Sequence, residues 1–108
     1  MSALLEKMRR AREARVEVAD FAFIVRRPTP VEMADMSRTR DFTSAVVGWE
    51  KVREMDIVPG GDPHPLTFDA DACAEWLRDR PDLYGPVIDR VMEAFKAHVA
   101  ALEEAQKN

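Results

Sequence analysis

Apolar residues recur along this chain with a period that changes from one segment to the next, and each change marks an element. Residues 2–14 place Leu4, Leu5, Met8 and Ala11 at helical spacing with charge on the other faces, and Ser2 stands where a capping residue belongs. The stretch "RVEVADFAFIVRRP" then alternates: Val16 and Val18 with charge between them, and Phe21, Phe23 and Val25 after Ala19-Asp20. That alternation predicts a β-hairpin turning at Ala19-Asp20, with one long bent strand as the alternative. "RPTPVEM" starts a helix, because Thr29 is a good N-cap, Pro30 loses nothing at the first helical position and Glu32 completes a capping box.

Between residues 39 and 53, Phe42, Ala45, Val46, Trp49 and Val52 follow one another at intervals of three, one, three and three, which predicts a second helix with Trp49 turned inward. Pro59, Gly60, Gly61, Pro63 and Pro65 break the pattern and demand a loop. Phe68 and Asp69 reopen helical structure, Asp69 as cap and Phe68 as a staple to Cys73, with Trp76 and Leu77 on the buried face. A last helix is predicted over 83–104, with Tyr84, Ile88, Val91, Met92, Phe95, Val99 and Leu102 in one stripe and Pro86 in its first turn. The expected architecture is α+β and mainly α: an N-terminal helix and β-hairpin followed by about four helices. All 108 residues form a single small domain, with 1–14 and 104–108 as its most mobile parts.

Composition narrows the function. No apolar run approaches the ~20 residues that a membrane span requires, and the N-terminal stretch lacks the order of a secretory signal. Together with the lone Cys73, which has no disulfide partner, this makes the cytoplasm the expected location. The net charge of −4 conceals an asymmetry, since residues 1–53 hold 11 basic and 8 acidic side chains and residues 54–108 hold 5 and 12. Halves of opposite sign can attract copies of the chain head to tail or take different partners.

Catalytic and metal-binding patterns are missing. His64 and His98 have no Cys or His at ligand spacing; His98 falls on the edge of the apolar stripe of the last helix, as a packed or interface residue would. Gly60-Gly61 lies in neither phosphate-loop nor dinucleotide fingerprint. Asp71 and Glu75 share a helix face but have no other catalytic group beside them, and Asp69 serves as the cap. No enzymatic activity, cofactor or metal is expected. Lys7, Arg9, Arg10, Arg12, Arg15, Arg26 and Arg27 offer a basic patch for nucleic acid, yet Glu6, Glu13 and Glu17 interleave with it. Glu6 with Arg10 and Glu13 with Arg9 stand at ion-pair spacing.

In order, "FAFIVRRPTPVEM", "SAVVGWEKV", a Gly/Pro loop and "PLTFDADACAEWLRDRPDLYGPVIDRVMEAF" resemble the tail assembly chaperones of long-tailed bacteriophages over residues 16–100. Members show an "f-x-V-R-R-P-T" strand end, a "V-x-G-W" helix, a "p-F-s/d" helix start and a "PDL" break; the loop "DIVPGGDPHP" departs from their pattern. The resemblance implies a non-enzymatic protein of the host cytoplasm, active or prophage-borne. It would self-associate and keep the tape measure protein soluble until tail tube subunits polymerise around it. It also makes Trp49 and Trp76, with Arg26 or Arg27 at a rim, candidate partner contacts, although the apolar-face position of each tryptophan argues for the core. Gly48 beside Trp49 reads as a packing joint on a helix flank. Family members are often made in two lengths by ribosomal frameshifting, and Lys107-Asn108 is compatible with slippery codons. A structural tail or connector component and a small nucleic-acid-binding regulator are the alternatives.

Overall fold

A computed structural model describes residues 2–107; Met1 and Asn108, part of the end segments and of the codon reading, lie outside it. Ser2 caps the first helix, α1 (Ala3–Ala11), accepting a hydrogen bond from the Leu5 N–H at 3.2 Å. Arg12 alone links it to β1 (Glu13–Val18), which pairs antiparallel with β2 (Phe21–Arg26). The two strands form the hairpin, and Ala19 takes a left-handed φ of 55° in the tight turn between them. Alternation then divides the side chains. Val16, Val18, Phe21, Phe23 and Val25 face the core, while Arg15 on the outer face reaches across β2 to Glu50 and also bonds Glu17 at 2.7 Å.

The capping box forms as the sequence predicts. Glu32 N–H donates to Thr29 Oγ1 (3.2 Å) and Thr29 N–H donates to the Glu32 carboxylate (2.8 Å), starting α2 (Pro30–Thr39), which buries Met33 and Met36. Arg40 ends α2 in the left-handed region, at φ 59°.

Residues 39–53 are not a helix. A 3₁₀ turn at Thr43–Ala45 leads into β3 (Val46–Glu50), the third strand of a sheet ordered β1-β2-β3. The helix-like interval of three between Val46 and Trp49 has a different origin. Val25 pairs with Val46 but Ile24 pairs with Gly48, so Val47 is an extra, bulged residue, and the bulge returns Val46 and Trp49 to one face. Two β-branched residues followed by glycine also suit a strand better than a helix. Gly48 therefore faces away from Trp49, opposite Ile24, where a Cβ would come within 3.3 Å of Ile24 Cγ1. The Gly48-Trp49 pair is not a helix-flank joint, because successive strand residues point to opposite faces.

The Pro/Gly segment is tied down after a short helix, α3 (Glu54–Ile57). Asp62 N–H donates to the Glu54 carboxylate (3.1 Å), Met55 N–H to the Asp62 carbonyl (3.1 Å), and Leu66 N–H to the Val52 carbonyl (2.8 Å). Gly61 permits this closeness, since a Cβ there would lie 2.8 Å from the Glu54 carbonyl carbon. Asp69 then caps α4 (Ala70–Arg78), accepting from the Ala72 N–H at 3.0 Å. The last helix, α5 (Pro81–Gln106), starts at Pro81 and contains Pro86 in its second turn. Pro86 and Asp82 are both exposed, so the carbonyl deprived of its donor faces water.

α4 packs against β3, and α5 lies across β1 and β2. Trp76 of α4 meets Phe21 edge-on (centroids 5.2 Å apart, 75°) and Phe23 at 6.0 Å; Trp49 meets Trp76 at 6.2 Å and Phe68 at 5.1 Å, both near perpendicular. The Trp49 indole N–H donates to the Leu66 carbonyl at 2.8 Å. The predicted α5 stripe is only partly core: Leu83, Val87 and Val91 are buried, Tyr84 and Ile88 pack half-buried against them, and Leu102 is exposed. In urea denaturation, Trp76→Ala should cost about 3–5 kcal/mol. Gly48→Ala should stay within about 1 kcal/mol, because its contact is with the half-buried Ile24 side chain alone.

Candidate partner-binding surfaces

Of the residues singled out by sequence, the two tryptophans are spent on the core: Trp49 is 8% and Trp76 6% exposed. Arg26 and Arg27 do not rim them. Arg26 stands three residues beyond Phe23, the cross-strand partner of Trp49, and on the opposite sheet face; there it bonds Glu13 at 3.2 Å. Its Nε is buried with no partner among the described residues. Arg27 turns toward a cleft between the α1–β1 link and α5, lined also by Arg12, Arg90 and His98. Partial burial, with the Arg12 cation nearby, lowers the pKa of Arg27. The arginines and tryptophans therefore do not form one contact site.

The basic patch divides as well. Lys7, Arg9 and Arg10 stay on α1, where none of the three makes an ion pair among the described residues, while Arg15 and Arg26 are engaged on the outer sheet face. Glu13 belongs to a strand, so it meets Arg26 rather than the predicted Arg9. Asp71 and Glu75 separate: Asp71 lines a groove described below, whereas Glu75 lies 3.8 Å from Arg78. His64 Nδ1 sits 2.5 Å from Asp62 Oδ1 in the loop. No group of three or more His, Cys, Asp or Glu among the described residues is placed to hold a metal ion. Among the described residues no helix is long and apolar enough to cross a membrane.

Besides the exposed face of α1, two surfaces offer apolar side chains to a partner. The first is a groove of about 610 Å³ between α2, the start of β3 and α4. Met36, Val46, Val47, Phe68 and Ala74 supply its apolar lining, and Asp35, Asp41, Asp71 and Arg78 its charges. One end is built by Asp41, which accepts from the Thr43 N–H (3.0 Å), the Thr43 hydroxyl (2.7 Å) and Arg78 Nη2 (2.7 Å). Those bonds, led by the Thr43 amide, hold the Asp41 carboxyl below the usual range. Sequence reasoning missed this groove, since it depends on β3 lying where a helix was expected. The polar break Thr39-Arg40-Asp41 before Thr43 was the local signal for it.

The second surface is the outer part of α5. Ile88, Met92, Phe95, Val99 and Leu102 recur at intervals of four and three, the spacing of a coiled-coil seam. Ile88 is packed against the core, Met92, Phe95 and Val99 are half-buried, and Leu102 is 43% exposed. The last buried residue is Val91, so the helix continues for about 22 Å beyond it at 1.5 Å per residue.

Cys73, by contrast, is closed to chemistry. It is buried on α4, and desolvation pushes its thiol up from 9.0 to about 12. A raised folded pKa means that its contribution to stability is complete below the pKa of the free thiol and is lost as the pH climbs toward 12. Iodoacetamide at pH 8 should label Cys73 only at the rate at which the protein opens, and denaturant should release the full reaction. Comparison with protein-family models, curated proteins and solved structures gave no match to this chain.

Proposed function

We propose that this protein is a non-enzymatic tail assembly chaperone of a long-tailed bacteriophage, acting in the host cytoplasm on the tape measure protein. The observation that carries the reading is the half-exposed seam of α5 from Met92 to Leu102, which outlasts the core it grows from. A tape measure protein is a long helical ruler, and a long helix exposes an apolar stripe along its length. A seam with four-three spacing is suited to lie along such a stripe, side chains of one helix seating between those of the other. Each copy of the chain would cover a few turns of the ruler, and many copies would keep its whole length from aggregating. The order of sequence motifs between residues 16 and 100 supports the same reading.

Co-expression with the tape measure protein encoded nearby, followed by affinity capture and light scattering, tests it. The expected result is a soluble complex that holds many copies of this chain. Val99→Asp with Leu102→Asp lies beyond the last buried residue and should leave the fold intact, while removing about 1.5–3 kcal/mol of burial in total and weakening capture roughly tenfold to a hundredfold. An insoluble partner beside a chain that runs alone would overturn the reading. A chain found in mature particles would favour a structural tail component instead.

A further inference from the structure

Helix α1 has an apolar face for which the fold has no use. Leu4 is 67% exposed, Met8 52% and Leu5 36%, and no residue of the helix is buried. Nine residues are too few for a helix to persist in water on propensity alone, so a face of this kind calls for a surface to cover it. The helix is held off its own domain at its C-terminal end. Its link, Arg12, is locked to Arg27 twice, by the Arg27 N–H to the Arg12 carbonyl (2.8 Å) and by Arg12 Nε to the Arg27 carbonyl (3.1 Å). Its polar face is basic, with Lys7, Arg9 and Arg10 against the single carboxylate Glu6.

The groove between α2, β3 and α4 has the opposite properties. Its apolar lining is concave, and its size falls in the roughly 300–1,000 Å³ range of sites that enclose a compact apolar group. Three carboxylates line it, Asp35, Asp41 and Asp71; Asp41 is bound to Arg78 and Asp35 pairs with Arg38 at the exposed rim (2.5 Å), so that Asp71 is the carboxylate without an ion-pair partner among the described residues and the net charge stays negative. The groove also lies at the β3 edge of the sheet, whereas α1 enters at the β1 edge. A convex basic apolar helix and a concave acidic apolar groove thus stand on different sides of one chain.

We propose that α1 of one copy docks in the groove of a second copy. Leu4, Leu5 and Met8 fill the apolar lining, and Lys7, Arg9 and Arg10 face Asp35 and Asp71. The contact is head to tail, because donor and acceptor surfaces differ, so each added copy leaves one helix and one groove free for the next. It would line copies up with their α5 seams repeated at intervals along a partner. The proposal shares with the functional reading only the premise that uncovered apolar faces are binding faces.

The test is complementation between two broken halves of the contact, read by light scattering on a sizing column without any partner protein. Wild-type chain should grow in mass as its concentration rises, and moderate salt should reverse the growth. Leu4→Asp with Met8→Asp breaks the helix face, and Ala74→Arg blocks the groove with bulk and positive charge; each alone should run as a single chain with unchanged circular dichroism. Mixed, they should form a species of twice the single-chain mass and stop there, because the helix of the Ala74→Arg chain still finds the groove of the other. Wild-type chain that stays a single copy at the highest attainable concentration, or a mixture that shows no such pair, would overturn the proposal. Retained capture of the tape measure protein by the Leu4→Asp, Met8→Asp chain would leave the α5 reading standing while the self-docking is judged separately.

Discussion

The contact between Trp49 and Trp76 holds the architecture together. Trp49 comes from the third strand and Trp76 from the helix above it, and their perpendicular rings, 6.2 Å apart, join sheet to helices where the strands alone offer only a three-stranded ribbon. Phe21 and Phe23 extend the cluster along β2, and Phe68 extends it to the start of α4. Edge-to-face aromatic pairs contribute about 0.5–1.5 kcal/mol each beyond the area they bury. The polar end of Trp49 matters as much as its ring. By donating to the Leu66 carbonyl, the indole fixes where the Pro/Gly segment ends, and so where Asp69 can begin the next helix.

What the sequence revealed and what it concealed follow from the range of the interactions involved. The hairpin, the Thr29 capping box, the Asp69 cap and the existence of the long last helix depend on residues within a few positions of one another, and all could be read directly. The strand at Val46–Glu50 could not, because a bulge at Val47 produces the interval of three that a helix also produces, and only pairing with β2 distinguishes them. The inward placement of Trp49 was legible nonetheless, since either geometry puts it with Val46. The error moved Gly48 to the wrong side of its neighbour and hid the groove, whose lining needs β3 beside α2 and α4. The α5 stripe was legible as a stripe, but its length relative to the core was not. That is a property of the packed domain, in which burial ends at Val91.

A division of labour among apolar residues connects the fold to its use. Phe23, Trp49 and Trp76, with Leu77, Leu83, Val87 and Val91, are committed to the interior, and Cys73 is buried with them. The outer turns of α5, the apolar face of α1 and the α2–β3–α4 groove are not committed. Their exposure costs solubility unless something covers them, which is the situation expected of a protein that works by covering another's apolar surface. The opposite charges of α1 and the groove add direction to what would otherwise be non-specific stickiness.

Hydrogen–deuterium exchange on the chain alone and in complex with the tape measure protein tests the central claim most directly. The account predicts that the complex slows exchange in α5 from Met92 to Leu102, while the strands that carry the aromatic cluster, already protected, change little. Exchange in the outer turns of α5 that is the same with and without the partner would contradict it.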